Sequence, residues 1–271
     1  MPTPTVPHAL ALNRCVKHLR YTAGAGLIIR RMPLDRWRWL TFSDAAWANA
    51  RKDGSQGGWL ISLTVPEIVN GEHCTVSVLL WSSKRLPRVT PSSPGAETQA
   101  LSACLGNLGW LPTLVEDALR GPVHQRLWGE KLPPPIAILR DSYGDKEIAT
   151  MARHVVDAKS IFDALEKECI GAKGERRTAI ELAIVREDLF HGGGRVRWVP
   201  HTKMPADMLT KLLKGGGGSV STILMELMST GRFRLAPEAV NMGARVADPP
   251  RKARTRAAVM QAEQELEETD S

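Results

Sequence analysis

Four acidic residues lie within otherwise apolar stretches of the sequence. A carboxylate that faces a protein core is costly unless an ion pair, hydrogen bonds or a metal ion neutralise it. Four such groups collected in one place would repel one another strongly, and a divalent cation would relieve that repulsion. The four residues are Asp44, Glu97, Asp157 and Asp207.

Their ligand chemistry favours a hard divalent cation. Carboxylate oxygens without an accompanying cluster of His or Cys select Mg²⁺, with Mn²⁺ as the alternative, over zinc. The four cysteines include no Cys-x-x-Cys pair, which argues against zinc and indicates reduced thiols in an intracellular protein. Two ions held close together can activate a water and stabilise the leaving oxygen when a phosphodiester is hydrolysed.

Each acid also has an ordinary explanation when it is taken alone. Asp44 could stand at the end of a strand, and Glu97 could be a helix N-terminal charge that the helix dipole favours. Asp157 could cap the helix that follows it, and Asp207 could be another first-turn acid. The metal hypothesis therefore requires that the fold bring the four together.

The elements that must position these acids begin with three strands. Alternation of apolar and polar residues predicts strands over 37–45, 59–65 and 74–82, with 54–58 as the turn between the first two. Strands that follow one another through turns indicate an antiparallel meander. Asp44 lies on the apolar face of the first strand.

Helices and two further strands are predicted in the second half of the chain. Glu97 begins the apolar stripe of a helix that runs from residue 94 to near 121. The order of elements predicts an α/β fold with a five-stranded mixed sheet, its first three strands antiparallel, flanked by helices. The remaining predicted elements are strands over 154–157 and 196–199 and helices over 160–168, 176–190 and 205–214.

Three regions are predicted along the chain. Residues 1–33 are expected to form a connecting helix with an apolar face that includes Leu12 and Leu19. Residues 34–214 are expected to form the folded domain, and residues 215–271 a linker, a short helix and a disordered charged tail.

The overall charge indicates a polyanionic partner. The 36 Lys and Arg exceed the 29 Asp and Glu, for a net charge of +7, and such a surface attracts nucleic acid. The excess belongs to the body of the chain, because residues 261–271 hold five acids and no base. Without an apolar run near the ~20 residues that span a bilayer, a membrane protein is not expected.

Several short motifs occur in a characteristic order, and together they are more specific than any one of them. They are residues 43–48, 57–60, 80–84, 92–93 with 96–101, 198–200 and 206–211. In this order they resemble the ribonuclease H domain of copia-type LTR retrotransposon Pol polyproteins. The resemblance covers roughly residues 34–214, and it implies the ribonuclease H-like fold.

The resemblance implies an endonuclease that hydrolyses the RNA strand of RNA/DNA hybrids through two Mg²⁺ ions. It implies that Asp44, Glu97, Asp157 and Asp207 are both the metal ligands and the catalytic residues. Asp141 competes with Asp157 for the third place, and the pattern after residue 157 favours Asp157. A catalytically inactive nucleic-acid-binding remnant of the same fold is the alternative function.

Further expectations follow from that resemblance. His201 is a candidate for product release, although it is closer to Asp207 than is usual, and a surface-loop histidine is the alternative. Phosphate contacts are expected from the region around strand three and the first long helix, where an ordinary solvated loop is the alternative. A reverse transcriptase domain in a longer precursor is a possible partner, and the location is intracellular, either cytoplasmic in a virus-like particle or nuclear. The expected phosphate contacts are Lys84, Arg85, Ser92 and Ser93.

Overall fold

The computed structural model describes residues 5–21, 23, 26–50, 54–120, 153–166, 175–191, 194–211 and 222–236. The first helix, α1 (Val6–Tyr21), exposes Leu12 and Leu19 of its apolar face. Within the described residues, no helix is both long and apolar enough to cross a membrane.

A mixed sheet of six strands is the centre of the fold. The strands are β1 (Arg38–Ala50), β2 (Gly54–Thr64), β3 (His73–Arg85), β4 (Arg153–Val156), β5 (Arg195–Trp198) and β6 (Arg232–Arg234). The first three strands form an antiparallel meander, and β4 and β5 run parallel to β1 on its other side. The order across the sheet is β5-β4-β1-β2-β3-β6.

Helices cover both faces of the sheet, since alternate strand residues point to opposite sides and both sides carry apolar residues. The helices are α2 (Ser93–Arg120), α3 (Lys159–Glu166), α4 (Arg176–His191), α5 (Asp207–Thr210) and α6 (Thr222–Thr230). On one side α2 packs against β1, β2 and α4, over two apolar clusters that include Trp59 and Leu101. On the other side, residues from α6 and the strands share a core that includes Phe42 and Leu227.

This arrangement confirms the predicted α/β fold, with a mixed sheet that is flanked by helices and has its first three strands antiparallel. The sheet has six strands where five were predicted, because β6 pairs antiparallel with β3 at the sheet edge. A strand of three residues gives too short an alternation to be recognised in the sequence.

The segment 54–58, predicted as a turn, is part of β2. Gln56, Gly57 and Gly58 continue the ladder with β1, where Gly58 is opposite Asp44. The glycines are there for space rather than for a turn, since a Cβ at Gly58 would lie 2.5 Å from the Cβ of Leu209. The prediction of a turn was therefore wrong.

The C-terminal elements also differ from the predicted ones. The last helix of the predicted domain was expected over 205–214, but α5 ends at Thr210 and residues 212–221 lie outside the described part. Residues 215–271 were expected to be linker, short helix and tail. Within that stretch, α6 forms and brings Leu224 and Leu227 into the main core, and β6 contributes Phe233.

A buried histidine joins two neighbouring strands. The ring Nδ1 of His154 on β4 lies 2.8 Å from the hydroxyl of Thr41 on β1. Burial, with a smaller effect from the charge of Arg153, lowers the pKa of His154 from 6.5 to about 3. The ring is therefore neutral in the folded protein at ordinary pH.

Candidate metal centre

Three of the four predicted acids meet at the end of β4, beside β1 in the interior of the sheet. Asp44 lies on β1 and Asp157 directly follows β4, and these strands are parallel neighbours with Ser43 opposite Val156. Glu97 is the fifth residue of α2, which packs on β1. Carboxylate oxygens of Asp44, Glu97 and Asp157 all lie within 4.8 Å of one another.

The electrostatics of these carboxylates fit a divalent cation. Burial, followed by the charge of Asp157, raises the pKa of Asp44 to about 7. Burial and the charges of Asp44 and Asp157 also raise the pKa of Glu97 well above its usual value. A cation bound by all three would remove the repulsion that causes part of these shifts. Because all the donors are oxygens, the three residues could hold a metal ion such as Mg²⁺ or Mn²⁺.

Neutral groups hold two of these carboxylates in place. The hydroxyl of Thr210 donates a hydrogen bond to Oδ2 of Asp44. The backbone N–H of Ala45 donates to the carboxylate of Glu97. Both hydrogen bonds favour the charged form that a metal ion requires.

Asp207 lies beside this group of three, and cationic or basic groups contact its carboxylate. Oδ1 of Asp207 is 3.1 Å from Nδ1 of His201, and Oδ2 is 2.6 Å from Nζ of Lys211. Its charge still contributes to the raised pKa of both Asp44 and Glu97. The fourth predicted acid is thus at the centre, but with partners of its own.

His201 stands between two of the acids. Its Nδ1 lies 3.1 Å from Asp157 Oδ2 as well as 3.1 Å from Asp207 Oδ1, and its Nε2 lies 2.8 Å from Nζ of Lys211. An ammonium group has donors only, so Nε2 accepts and the ring proton is on Nδ1. The hydrogen bond with Asp157 raises the pKa of His201.

The short helix α5 is fixed to the sheet by polar contacts of its backbone. Ser83 of β3 donates through its hydroxyl to the carbonyl of Leu209 at 2.5 Å, and Asn49 of β1 donates to the carbonyl of Thr210 at 2.9 Å. Gly58 provides the space for this approach. The helix therefore delivers Asp207 and Thr210 to the acids of β1 and β4.

Sequence reasoning gave no role to Thr210, Lys211 and Gly58. All three lie inside the motifs at 57–60 and 206–211. Their types carried no signal of their own, since an exposed lysine and a helical threonine are ordinary residues. Asp141, the alternative to Asp157, lies outside the described residues.

The predicted phosphate contacts have different surroundings. Lys84 and Arg85 are exposed at the end of β3, next to the segment that contacts α5. The hydroxyl of Ser92 accepts a hydrogen bond from the N–H of Gly95 at 3.2 Å and so caps α2. Ser93 is exposed at the first position of that helix.

Comparisons with known proteins give no family for the sequence: no family model matches it, and no curated protein does. Among solved structures, the N-terminal RNase H domain of Rv2228c from Mycobacterium tuberculosis is similar over 64% of this chain and 90% of that one, at 16% identity and a TM-score of 0.35. LC11-RNase H1, isolated from compost by a metagenomic approach, is similar over 65% and 92%, at 15% identity and a TM-score of 0.37. RNase H1 from the archaeon Halobacterium salinarum is similar over 60% and 86%, at 13% identity and a TM-score of 0.30. Likenesses this weak carry no argument about activity, which has to come from the site itself.

Proposed function

We propose that this chain is a metal-dependent endonuclease that hydrolyses the RNA strand of RNA/DNA hybrids. The observation that carries the proposal is that carboxylate oxygens of Asp44, Glu97 and Asp157 lie within 4.8 Å of one another at the end of β4. Carboxylates that repel one another at a rigid edge cost stability, and metal-dependent phosphodiester hydrolysis gives such a cluster a use.

Asp44, Glu97 and Asp157 would hold the cation, and Asp207 would be the fourth ligand. Two Mg²⁺ ions, with Mn²⁺ as the alternative, would supply activation of a water and stabilisation of the leaving oxygen. Hydrogen bonds of the chain itself orient two of the ligands and oppose the rise in their pKa. Thr210 fixes the Asp44 carboxylate, and the N–H of Ala45 fixes that of Glu97.

His201 is proposed to serve product release. Its Nδ1 holds a proton between Asp157 and Asp207, and its side chain is 41% exposed. A basic ring at the exposed side of an acidic centre can donate a hydrogen bond to the phosphate group of the product as it leaves.

The hybrid is proposed to lie across the end of β3 and the start of α2. An A-form-like duplex exposes its 2′-hydroxyl groups in a wide minor groove, which allows a protein to recognise the RNA strand. Lys84 and Arg85 are free of the core and suit phosphate contacts. Ser92 and Ser93 complete the proposed contact set at the N-terminus of α2, where the helix dipole favours an anion.

The origin that we propose is a copia-type retrotransposon Pol polyprotein. Residues 34–214 would be its ribonuclease H domain, with residues 1–33 as the connection to a reverse transcriptase domain in a longer precursor. Such a protein would act inside the cell, in cytoplasmic virus-like particles or in the nucleus. The motifs at 43–48 and 206–211 support this origin.

Cleavage of labelled substrates tests the proposed function. Purified protein is incubated with an RNA/DNA hybrid or with double-stranded RNA, in Mg²⁺ or in EDTA. We expect cleavage of the hybrid RNA strand in Mg²⁺ only. Cleavage that persists in EDTA contradicts the proposal, as does tight hybrid binding without cleavage under conditions in which a control ribonuclease H is active. The second outcome identifies an inactive nucleic-acid-binding protein.

A further inference from the structure

A cation of the chain itself contacts the acidic centre: the ammonium group of Lys211. Its Nζ lies 2.6 Å from Oδ2 of Asp207 and 2.8 Å from Nε2 of His201. The same histidine reaches the other oxygen of Asp207 through Nδ1 at 3.1 Å. Lys211, His201 and Asp207 therefore form a closed ring of contacts.

The four acids differ in whether a neutral or a cationic group contacts the carboxylate. Asp44 and Glu97 receive hydrogen bonds from neutral groups, the hydroxyl of Thr210 and the N–H of Ala45. Neutral donors orient a carboxylate but leave its negative charge for a cation to bind. Asp207 is contacted by an ammonium group, which a second cation would have to displace from Oδ2.

The position of Lys211 comes from the backbone, and its exposure leaves it free to move. Lys211 follows Asp207 by one helical turn, and its N–H donates to the carbonyl of Asp207 at 3.3 Å. The side chain of Lys211 is 53% exposed, whereas that of Asp207 is 9% exposed. The ammonium can therefore turn into water at little cost, while the carboxylate stays in place.

We propose that Lys211 competes with the second divalent cation for Asp207. This inference depends on the proposed metal-dependent function. Without a second cation, Lys211 neutralises Asp207 and holds His201 beside it. The chain would bind a first cation at Asp44, Glu97 and Asp157 and a second, more weakly, at Asp207. Lys211 thereby sets the concentration of divalent cation at which the centre fills completely.

A calorimetric titration of the full chain with Mn²⁺ tests this proposal without any measurement of cleavage. We expect Lys211→Gln to bind the second Mn²⁺ about fivefold more tightly than the unmodified chain, the factor for an exposed ion pair worth about 1 kcal/mol. Affinity for the first Mn²⁺ should rise less than affinity for the second, because the ion pair that Lys211 makes is with Asp207 and not with the three acids that would hold the first ion. Lys211→Arg keeps the charge and should bind as the unmodified chain does.

Lys203→Gln is the matched control, because Lys203 is an exposed lysine that lies before α5, eight residues from Lys211, and its loss changes the net charge equally. An equal increase in the affinity for the second Mn²⁺ in Lys203→Gln and Lys211→Gln would overturn the proposal, because it would show a general effect of net charge. Unchanged second-ion affinity in Lys211→Gln would overturn it while the metal-dependent function stands. Absence of any Mn²⁺ binding by the unmodified chain would overturn both.

Discussion

Asp44 and Glu97 together set the pH range over which the acidic centre carries its full charge, because the pKa of each is raised. Burial and the charge of Asp157 raise the pKa of Asp44 to about 7, and the hydroxyl of Thr210 opposes that rise. A metal ion binds the deprotonated carboxylate. We therefore expect the affinity for Mn²⁺ to fall as the pH decreases through about 7, where Asp44 takes up a proton.

Replacement of Thr210 should move this transition. Thr210→Val keeps the shape of the side chain but removes the donor to Asp44, so the pKa of Asp44 rises further. The midpoint of Mn²⁺ binding against pH, measured by calorimetry, should then shift to higher pH. Thr210→Ser keeps the hydroxyl and should leave the midpoint in place. An unchanged midpoint in Thr210→Val would show that the hydroxyl does not act on Asp44.

The acids themselves were predictable from the sequence, and their partners were not. Asp44 and Asp157 stand out because a charge in an apolar strand calls for an explanation. Thr210 stands out only after the chain has folded, since it contacts Asp44 on a strand far away along the sequence. Lys211 contacts nearby residues, Asp207 and His201, but its role depends on where the fold places those two side chains. The backbone N–H that contacts Glu97 has no signature in the sequence at all.

Among the elements, α5 depends most closely on its contact with the sheet. It has only four residues, and a helix this short has little stability of its own. Its place is set by β2, where Gly58 leaves room for Leu209 and for the carbonyl of Ala206. The glycine-rich segment 54–58 resembles a turn in the sequence, because a sequence pattern shows where side chains are absent but not which neighbouring residues fill the space.

A side chain at residue 58 should therefore disturb the centre. In Gly58→Ala, the new Cβ would lie 2.5 Å from the Cβ of Leu209 and 3.2 Å from the carbonyl of Ala206. We expect a loss of about 1–3 kcal/mol in the free energy of unfolding, measured in urea, together with weaker Mn²⁺ binding. Gly106→Ala is the control, because its Cβ meets no atom within 4 Å and alanine favours a helix. Undiminished Mn²⁺ affinity in Gly58→Ala would contradict this role of α5.

The contact between β1 and β4 gives a pH-dependent contribution to stability. The folded state holds His154 neutral, with a pKa of about 3, whereas the unfolded state takes up a proton below about 6.5. The contribution of His154 is thus complete above pH 6.5 and is lost as the pH falls towards 3, by about 1.4 kcal/mol per pH unit.

Comparison with His154→Gln isolates this effect, because the opposite contributions of Asp44 and Glu97 are common to both proteins. The free energy of unfolding of the unmodified chain should fall relative to that of His154→Gln as the pH decreases below 6.5. Urea unfolding at several pH values provides the measurement. A stability difference that stays constant with pH would mean that His154 titrates normally in the folded state.

At the scale of the whole molecule, the fold extends past the boundary that the motifs define. The resemblance ends near residue 214, but α6 and β6 add large side chains to the main core. Motifs report residues needed for chemistry, whereas Leu224, Leu227 and Phe233 serve packing and can be replaced by other apolar residues. The fold class, set by the order of strands and helices, was therefore easier to predict than the extent of the domain.

Truncation of the chain tests whether the folded domain ends at residue 214 or extends to residue 236. A chain that ends at residue 214 loses four buried core residues, each worth about 2–5 kcal/mol, against a total stability of about 5–15 kcal/mol. We expect it to lack a cooperative urea transition, while a chain that ends at residue 236 keeps one. Equal stability of the two truncated chains would show that α6 and β6 are dispensable. The four residues are Leu224, Leu227, Phe233 and Leu235.

The proposed hydrolysis of hybrid RNA depends on the carboxylates that meet beside the end of β4. The most direct measurement is the rate of hybrid cleavage in Mg²⁺ by Asp157→Asn and by Asp163→Asn, a matched change at a half-exposed aspartate of α3. We predict that Asp163→Asn cleaves as the unmodified chain does. Asp157→Asn should lose more than the roughly 10- to 100-fold that follows the loss of an outer-shell partner of a metal site. Equal rates for Asp157→Asn and the unmodified chain would contradict the account.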